Sequence, residues 1–263
     1  RIMSHTILST YSDHRQIAQV EDITTEQPWL WLAAGWRDLR RSPAISIGYG
    51  VLFVIASYLI TLATVMTGTF YLVPALLGGF FLVAPALGLG LYEISRRNER
   101  GEPARFMHAI QAIARHRFQV STMGAALVVC YVGWFLVANL IFTLMSSGIS
   151  PSLENAASYL FSLQNLPMLA VGTLVGAFFA LIVFAFSAVS VPMLLDRDDV
   201  DALSAMRISY QACRYNPLPM LVWAALIVLI MLGGFATLYV GLAIGFPLRA
   251  HATWHAYREL IKT

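Results

Sequence analysis

The chain has 263 residues, 58% of them hydrophobic and 12% charged, with 17 Lys and Arg against 14 Asp and Glu. At a mean hydropathy of +0.69, this composition excludes a water-soluble globular domain and describes a chain whose solvent is mostly lipid. The net charge of +3 comes with no nucleic-acid motif, so nucleic acid is not an expected partner and membrane lipids are.

Residues 1–28 are polar and mixed in charge, lack the order of a secretory signal, and read as a loosely ordered cytoplasmic tail. A short amphipathic segment follows, with Trp29, Leu32, Ala33 and Trp36 on one stripe, ending Arg40-Arg41-Ser42-Pro43. Hydrophobic stretches occupy 44–67 and 70–92, each near the ~20 residues that cross a bilayer as a helix. A second amphipathic segment sets Phe106, Ile110 and Ile113 against His108, Gln111 and Arg115, and leads into stretches at 120–146 and 167–195. Between those two stretches, Ser152 and Asn155 before Tyr159-Leu160-Phe161 predict a short interfacial helix. A third segment opposes Ala202, Met206 and Cys213 to Ser204, Arg207, Gln211 and Arg214, before stretches at 217–234 and 236–257.

Positive charge alternates between the gaps. Arg37, Arg40 and Arg41 precede the first stretch, and Arg96, Arg97, Arg100, Arg105, Arg115 and Arg117 follow the second. Arg197, Arg207 and Arg214 follow the fourth, and Arg249, Arg258 and Lys262 lie near the end, while the gaps at 68–69, 147–166 and around 235 have no Lys or Arg. The positive-inside rule therefore places both termini and both basic loops in the cytoplasm. Cys130 falls inside the third stretch and Cys213 on the cytoplasmic side, so no disulfide is expected.

The plan of a basic-ended amphipathic segment and two spans recurs three times, at about 29–97, 103–197 and 200–260, and each second span carries a proline: Pro85, Pro192 and Pro247. The expected fold is all-α: a polytopic membrane protein with six transmembrane helices in three parallel hairpin repeats, plus cytoplasmic amphipathic elbow helices. Residues 29–260 form the transmembrane domain. The elbows are too short and charged to cross, and should lie along the membrane surface. Pro85, Pro192 and Pro247 are expected to kink their helices, and Gly172/Gly176 and Gly241/Gly245 have the spacing for close helix packing.

His251 and His255 share one helical face, and with Glu93 at similar depth they are candidates for a metal or haem site. The intervening Ala-Thr-Trp lacks the Glu of a zinc-protease helix, and imidazoles beside Trp254 and Tyr257 better suit hydrogen bonding at an interface, so no metal is expected there. The run Asp196, Asp198, Asp199 and Asp201 lacks the Gly and closing Glu of a calcium loop, and reads as capping the third elbow. Glu93, Arg96 and Arg97 are placed to pair with Arg249, Arg258 and Glu259. No Asp, Glu, Lys or Arg lies near the centre of a stretch, and Asn139 is the main polar exception. Nucleophile elbows, phosphate loops and paired catalytic carboxylates are missing, so no catalytic residue, no cofactor and no enzymatic activity are expected.

The runs Ala34-Gly35-Trp36-Arg37-Asp38-Leu39-Arg40-Arg41-Ser42-Pro43, Gly90-Leu91-Tyr92-Glu93-Ile94-Ser95-Arg96-Arg97, Val171-Gly172-Thr173-Leu174-Val175-Gly176-Ala177 and His251-Ala252-Thr253-Trp254-His255 resemble a family of bacterial integral membrane proteins of unknown function. Some of its members are labelled cytochrome c oxidases. The resemblance implies a respiratory membrane and assigns no chemistry. The six histidines, none at the middle of a stretch, do not suit an oxidase catalytic subunit, so association is the implied role. The reading is a non-enzymatic accessory, assembly or scaffold protein of the bacterial inner membrane, partnered by a respiratory complex such as a terminal oxidase. A carrier or channel for a small neutral or lipid-like substrate, through the glycine-rich second span and Asn139, stays open beside it.

Overall fold

The computed structural model describes residues 4–5, 19–115, 117–145 and 162–262, and it is all-helical, with 83% helix. In chain order the elements are β1 (Ser4–His5), β2 (Gln19–Glu21), α1 (Gln27–Arg41), α2 (Pro43–Met66), a 3-10 turn (Phe70–Leu72), α3 (Val73–Leu87), α4 (Leu89–Glu99), α5 (Phe106–Arg115) and α6 (Arg117–Met145). After the segment left undescribed come α7 (Leu166–Ser187), α8 (Ser190–Asp196), α9 (Ala202–Tyr215), α10 (Pro217–Ala236), α11 (Leu242–Leu260) and β3 (Ile261–Lys262). The interfacial helix expected over Ser152–Leu163 begins in that undescribed stretch.

Proline sets the corners. Pro43 and Pro217 each open a helix, where a missing N–H costs nothing, and each pushes the residue before it out of helical geometry. Ser42 (φ −128°, ψ 57°) and Asn216 (φ −120°, ψ 56°) accordingly adopt nearly the same bend between an elbow helix and the long apolar helix after it. At the start of α9, the Asp201 carboxylate accepts from the Ser204 backbone N–H at 2.9 Å, the capping role read from the sequence.

Four helical segments are long and apolar enough to cross a membrane: Pro43–Met66, Ser121–Met145, Leu166–Asp196 and Pro217–Ala236. Helices α3 and α4, bent by 41° at Gly88, make a fifth if the pair is one broken span. The stretch expected at 236–257 differs. Residues 237–241 form a turn, in which Leu238 (φ 52°) and Tyr239 (φ 72°) hold left-handed backbone, and α11 beyond it mixes apolar residues with Arg249, His251 and His255. It is not among the segments that meet the length and hydropathy of a span.

The chain divides into two units. Unit 1 comprises the described residues of Arg1–Val54, Pro85–Met123 and Ala185–Thr263. Its core gathers Trp31 of α1, Leu91, Tyr92 and Ile94 of α4, Val191 and Met193 of α8, Trp223 of α10, and Phe246, Trp254 and Tyr257 of α11, all almost fully buried. Trp31 meets Trp223 edge-on at 5.7 Å between centroids. Helix α11 is the axis of this unit. Gly35 brings α1 so close to it that a Cβ there would stand 2.6 Å from the Ala252 backbone nitrogen, and Gly50 of α2 meets the backbone of Ala243 in the same way.

Residues 19–28 are part of this unit and not a loose tail. β2 pairs antiparallel with β1 and β3, with Val20 opposite Ile261 and fully buried. The Asn216 side chain accepts from Ile23 N–H at 2.8 Å and donates to the Glu21 carbonyl at 3.0 Å. A strand edge thereby satisfies backbone groups that a free tail would leave to water.

Unit 2 comprises the described residues of Ile55–Ala84 and Gly124–Phe184. Here Trp134 of α6 donates its indole N–H to the Ala75 carbonyl at 2.9 Å. Its ring packs where Gly78 and Gly176 leave room, a Cβ at either lying about 3.0–3.1 Å from it, and Tyr131 covers Gly79.

Candidate functional site

The elbow helices bury a face other than the one their apolar residues suggest. In α1 the buried side is Trp31, Ala34, Gly35, Asp38 and Leu39, while Trp29, Ala33 and Trp36 are exposed. In α5 Ala109 and Ala112 are buried and Phe106, Ile110 and Ile113 exposed; in α9 the buried set is Ala202, Ala205, Ser209 and Ala212. Small residues allow a close approach to the core, joined in α1 by Trp31 and Leu39, while Trp29, Trp36, Phe106, Ile110 and Ile113 are left outward.

The inward side of α1 carries Asp38, an acid in an otherwise basic segment, and around it lies a buried polar chain. His251 of α11 is fully buried, with Ser46 Oγ 2.9 Å from Nε2 and Ser95 Oγ 2.7 Å from Nδ1. Ser95 also helps to hold the Asp38 carboxyl low, and His255 Nε2 lies 2.9 Å from Asp38 Oδ2. Burial works to raise the Asp38 carboxyl, but hydrogen bonds from His255 and Ser95 and the charges of His251 and His255 outweigh it and hold it below its ordinary value.

A hydroxyl has one proton. If that of Ser95 is turned toward the Asp38 carboxylate, Ser95 accepts from His251 Nδ1–H, and His251 Nε2 accepts from Ser46. The chain Ser46, His251, Ser95, Asp38 therefore runs in one direction and ends on a carboxylate, as a serine nucleophile's chain would. Ser46, however, is fully buried, with no surface to offer a substrate. What the chain does is join α2, α11, α4 and α1. Asn98 extends it: its side-chain oxygen accepts from Ser42 at 3.2 Å and its carbonyl from Arg41 at 2.8 Å.

A second polar node lies at the ends of α4, α8 and α11. Arg258 donates to Glu99 (3.2 Å) and to Asp196 (3.3 Å), Tyr257 donates to Asp196 (2.9 Å), and the Trp254 indole donates to Glu99 (3.0 Å). From the sequence, Glu93 is the acid expected in this pairing. Glu93 instead faces Arg96 at 2.6 Å and Arg97 at 2.9 Å on its own helix, and the acid that reaches α11 is Glu99, one and a half turns later.

The metal candidates are brought near one another but not into one site. Both ring nitrogens of His251 are taken by hydroxyls, His255 by Asp38, and Glu93 by two arginines, and among the described residues no three His, Cys, Asp or Glu are arranged to hold an ion. Asn139 donates to the Phe135 carbonyl of its own helix at 2.8 Å, not to a neighbour.

Of the packing glycines, Gly176 meets Trp134, Gly241 faces Gly234 with 3.1 Å from Cβ to Cα, and Gly245 faces Ile230 at 3.1 Å. Gly172 departs from its expected pairing: a Cβ there meets nothing within 4 Å, because the Trp134 ring reaches Gly176 but not one turn earlier. Pro85 lies three residues before the bend at Gly88, whose freed carbonyls are taken by tyrosines, Pro85 by Tyr92 (3.3 Å) and Leu87 by Tyr49 (2.8 Å). Pro192 follows the break between α7 and α8, whereas α11 continues through Pro247 without a break.

Residues 72–196, a little under half of the chain, match the model of a family described as predicted integral membrane protein (DUF2189), whose function is unknown. No curated protein and no solved structure gives a significant match.

Proposed function

For this multi-pass integral membrane protein, we propose a non-enzymatic role as an accessory, assembly or scaffold component of the bacterial inner membrane. In that role six spans lie in three parallel hairpin units, with both termini in the cytoplasm. The arrangement follows from the alternation of Arg between gaps and from the thrice-repeated order of elbow helix, long apolar helix and proline-bearing helix. A sixth span would take the stretch 236–257, the turn at 237–241 together with α11 beyond it.

One observation carries the functional reading. The most apolar windows of Pro43–Met66 and Leu166–Asp196 are only 11% and 6% buried inside the chain, whereas the polar side chains around His251 and His255 bond to one another. Apolar helix surface is thus the resource this protein offers, and lipid or other membrane helices are what would cover it. A respiratory complex such as a terminal oxidase is the partner that the sequence resemblance favours.

The test is affinity isolation of the tagged protein from native membranes in mild detergent, with mass spectrometry of near-stoichiometric companions. Respiratory subunits are the expected companions. Recovery alone or only with itself overturns the accessory role, and binding of small neutral or lipid-like substrates then becomes the reading to pursue.

A further inference from the structure

The exposed faces of the elbow helices follow one pattern. In α1, Trp29, Ala33, Trp36 and Arg40 lie at i, i+4, i+7 and i+11, one stripe down the outside of the helix; in α9, Leu203, Arg207, Tyr210 and Arg214 repeat that spacing. All eight are exposed. Phe106, Ile110 and Ile113 open the same spacing in α5 and are also exposed. Trp29, Trp36, Leu203, Tyr210, Phe106, Ile110 and Ile113 are large apolar or aromatic side chains on helices whose opposite side is already used by the core. Nothing within the described chain covers them.

Two observations name what does. The first is charge: Arg37, Arg40, Arg207 and Arg214 are exposed and have no ion-pair partner among the described residues, so the surface that presents the apolar stripe also presents uncompensated guanidinium groups. The second is continuity. Ser42 separates α1 from the candidate span Pro43–Met66, and Asn216 separates α9 from the span Pro217–Ala236. A helix one residue from a span has no room to leave the membrane–water boundary, where apolar side chains reach acyl chains and Arg reaches phosphates.

We propose that the outward faces of α1 and α9, with that of α5, are docking surfaces for anionic phospholipid, and that Trp29 and Trp36 sit among the upper acyl chains while Arg37, Arg40, Arg207 and Arg214 bind headgroup phosphates. The surface is a lipid-recognition device distinct from the buried polar chain of α1, and it does not depend on the accessory role: it holds whether or not the protein has a membrane partner.

The distribution of tryptophan makes it directly measurable. Of the six tryptophans, Trp29 (59% exposed) and Trp36 (43%) are on this surface, while Trp134, at 7%, and Trp31, Trp223 and Trp254, at 2% or less, are buried. The full chain is reconstituted into vesicles of phosphatidylcholine or phosphatidylglycerol brominated either near the glycerol or deep in the acyl chain, and tryptophan emission is read. Shallow bromines should quench more than deep ones, and Trp29→Phe with Trp36→Phe should remove that component. Brominated phosphatidylglycerol should compete for the site about fivefold better than brominated phosphatidylcholine, and R37Q/R40Q/R207Q/R214Q should abolish the preference. Equal competition by the two lipids overturns anionic recognition; stronger deep than shallow quenching, or none that the double Phe variant removes, overturns the docking itself. Since none of the six residues packs in the core, a reconstituted protein with unchanged emission from Trp31, Trp223 and Trp254 confirms that the variants are folded.

Discussion

Unit 1 and unit 2 are built from the same apolar alphabet and are held by different means. Unit 1 has a core of fully buried Trp, Tyr and Phe, backbone-to-backbone approaches at Gly35 and Gly50, and two polar nodes that tie helices distant in sequence. Unit 2 rests on Trp134 and Tyr131 laid over Gly78, Gly79 and Gly176, and one indole-to-carbonyl hydrogen bond. In lipid there is no hydrophobic drive between apolar helices, so a contact must come from shape or from a polar group. The difference teaches that, among the described residues, the polar contacts between helices distant in sequence are concentrated in unit 1.

The sharpest way to break that comparison is at glycine. Gly35→Ala and Gly50→Ala would drive a methyl into the backbone of Ala252 and Ala243, which cannot rotate aside, and each should destabilise by about 3 kcal/mol or more. Gly172→Ala in unit 2 meets open space and should change stability by less than about 0.5 kcal/mol. Denaturant unfolding in mixed micelles, followed by circular dichroism, measures all three. Comparable losses at Gly172 and Gly50 would sink the distinction.

The next test removes a polar centre from each unit. His251→Ala leaves the Ser46 and Ser95 hydroxyls buried without their partner and opens a cavity, for an expected loss of about 2–4 kcal/mol. Trp134→Phe keeps most of the ring and gives up the bond to Ala75, for about 1 kcal/mol. If the second loss exceeds the first, unit 2 is the more specifically built.

Spans and corners were legible in the sequence because lipid imposes length and apolarity, and proline imposes dihedral angles: the first, third, fourth and fifth stretches lie within a few residues of Pro43–Met66, Ser121–Met145, Leu166–Asp196 and Pro217–Ala236. The elbows were legible as amphipathic helices, but not the second face that each of them buries. Helical periodicity identifies an apolar stripe without saying whether core or lipid takes it, and in α1 the core takes Ala34 and Gly35 while Trp29 and Trp36 face out. His251 and His255 were singled out as a pair; their partners Ser46, Ser95 and Asp38 come from three other helices and have no local signature. Asp38, a lone acid among arginines, was the available clue. Glu93 over Glu99 was a failure of register, since only the bend at Gly88 decides which turn of α4 meets α11.

Acid sharpens the comparison within unit 1. The folded-state pKa of Asp38 is below its ordinary 3.8, so its contribution is fully present above that value and is lost as pH falls from about 3.8 through the lower folded value. Asp38→Asn should lower stability at neutral pH by about 1–3 kcal/mol, as for a hydrogen bond to a charged group, and should shrink the difference from wild type below pH 4. A stability profile in detergent between pH 3 and 7 measures it. A difference independent of pH would mean that the carboxylate charge is not what His255 and Ser95 hold.

A small effect is expected at Arg258, although it ties two other helices to α11. It joins Glu99 of α4 to Asp196 of α8, but its side chain is 43% exposed and that of Glu99 38%. Water screens such pairs, and exposed ion pairs are worth about 0–1 kcal/mol. Asp196 is also held by Tyr257 and Glu99 by Trp254, so neither acid loses its last partner when the guanidinium goes. Arg258→Gln should therefore cost about 0.5–1 kcal/mol, and the cost should fade when salt shortens the range of the charges. The His251→Ala loss, made of uncharged hydrogen bonds in a dry interior, should not respond to salt. Measured side by side at low and high salt, the two variants separate a screened clasp from a buried lock. A large, salt-insensitive loss at Arg258 would show that the three helix ends are locked there as firmly as at His251.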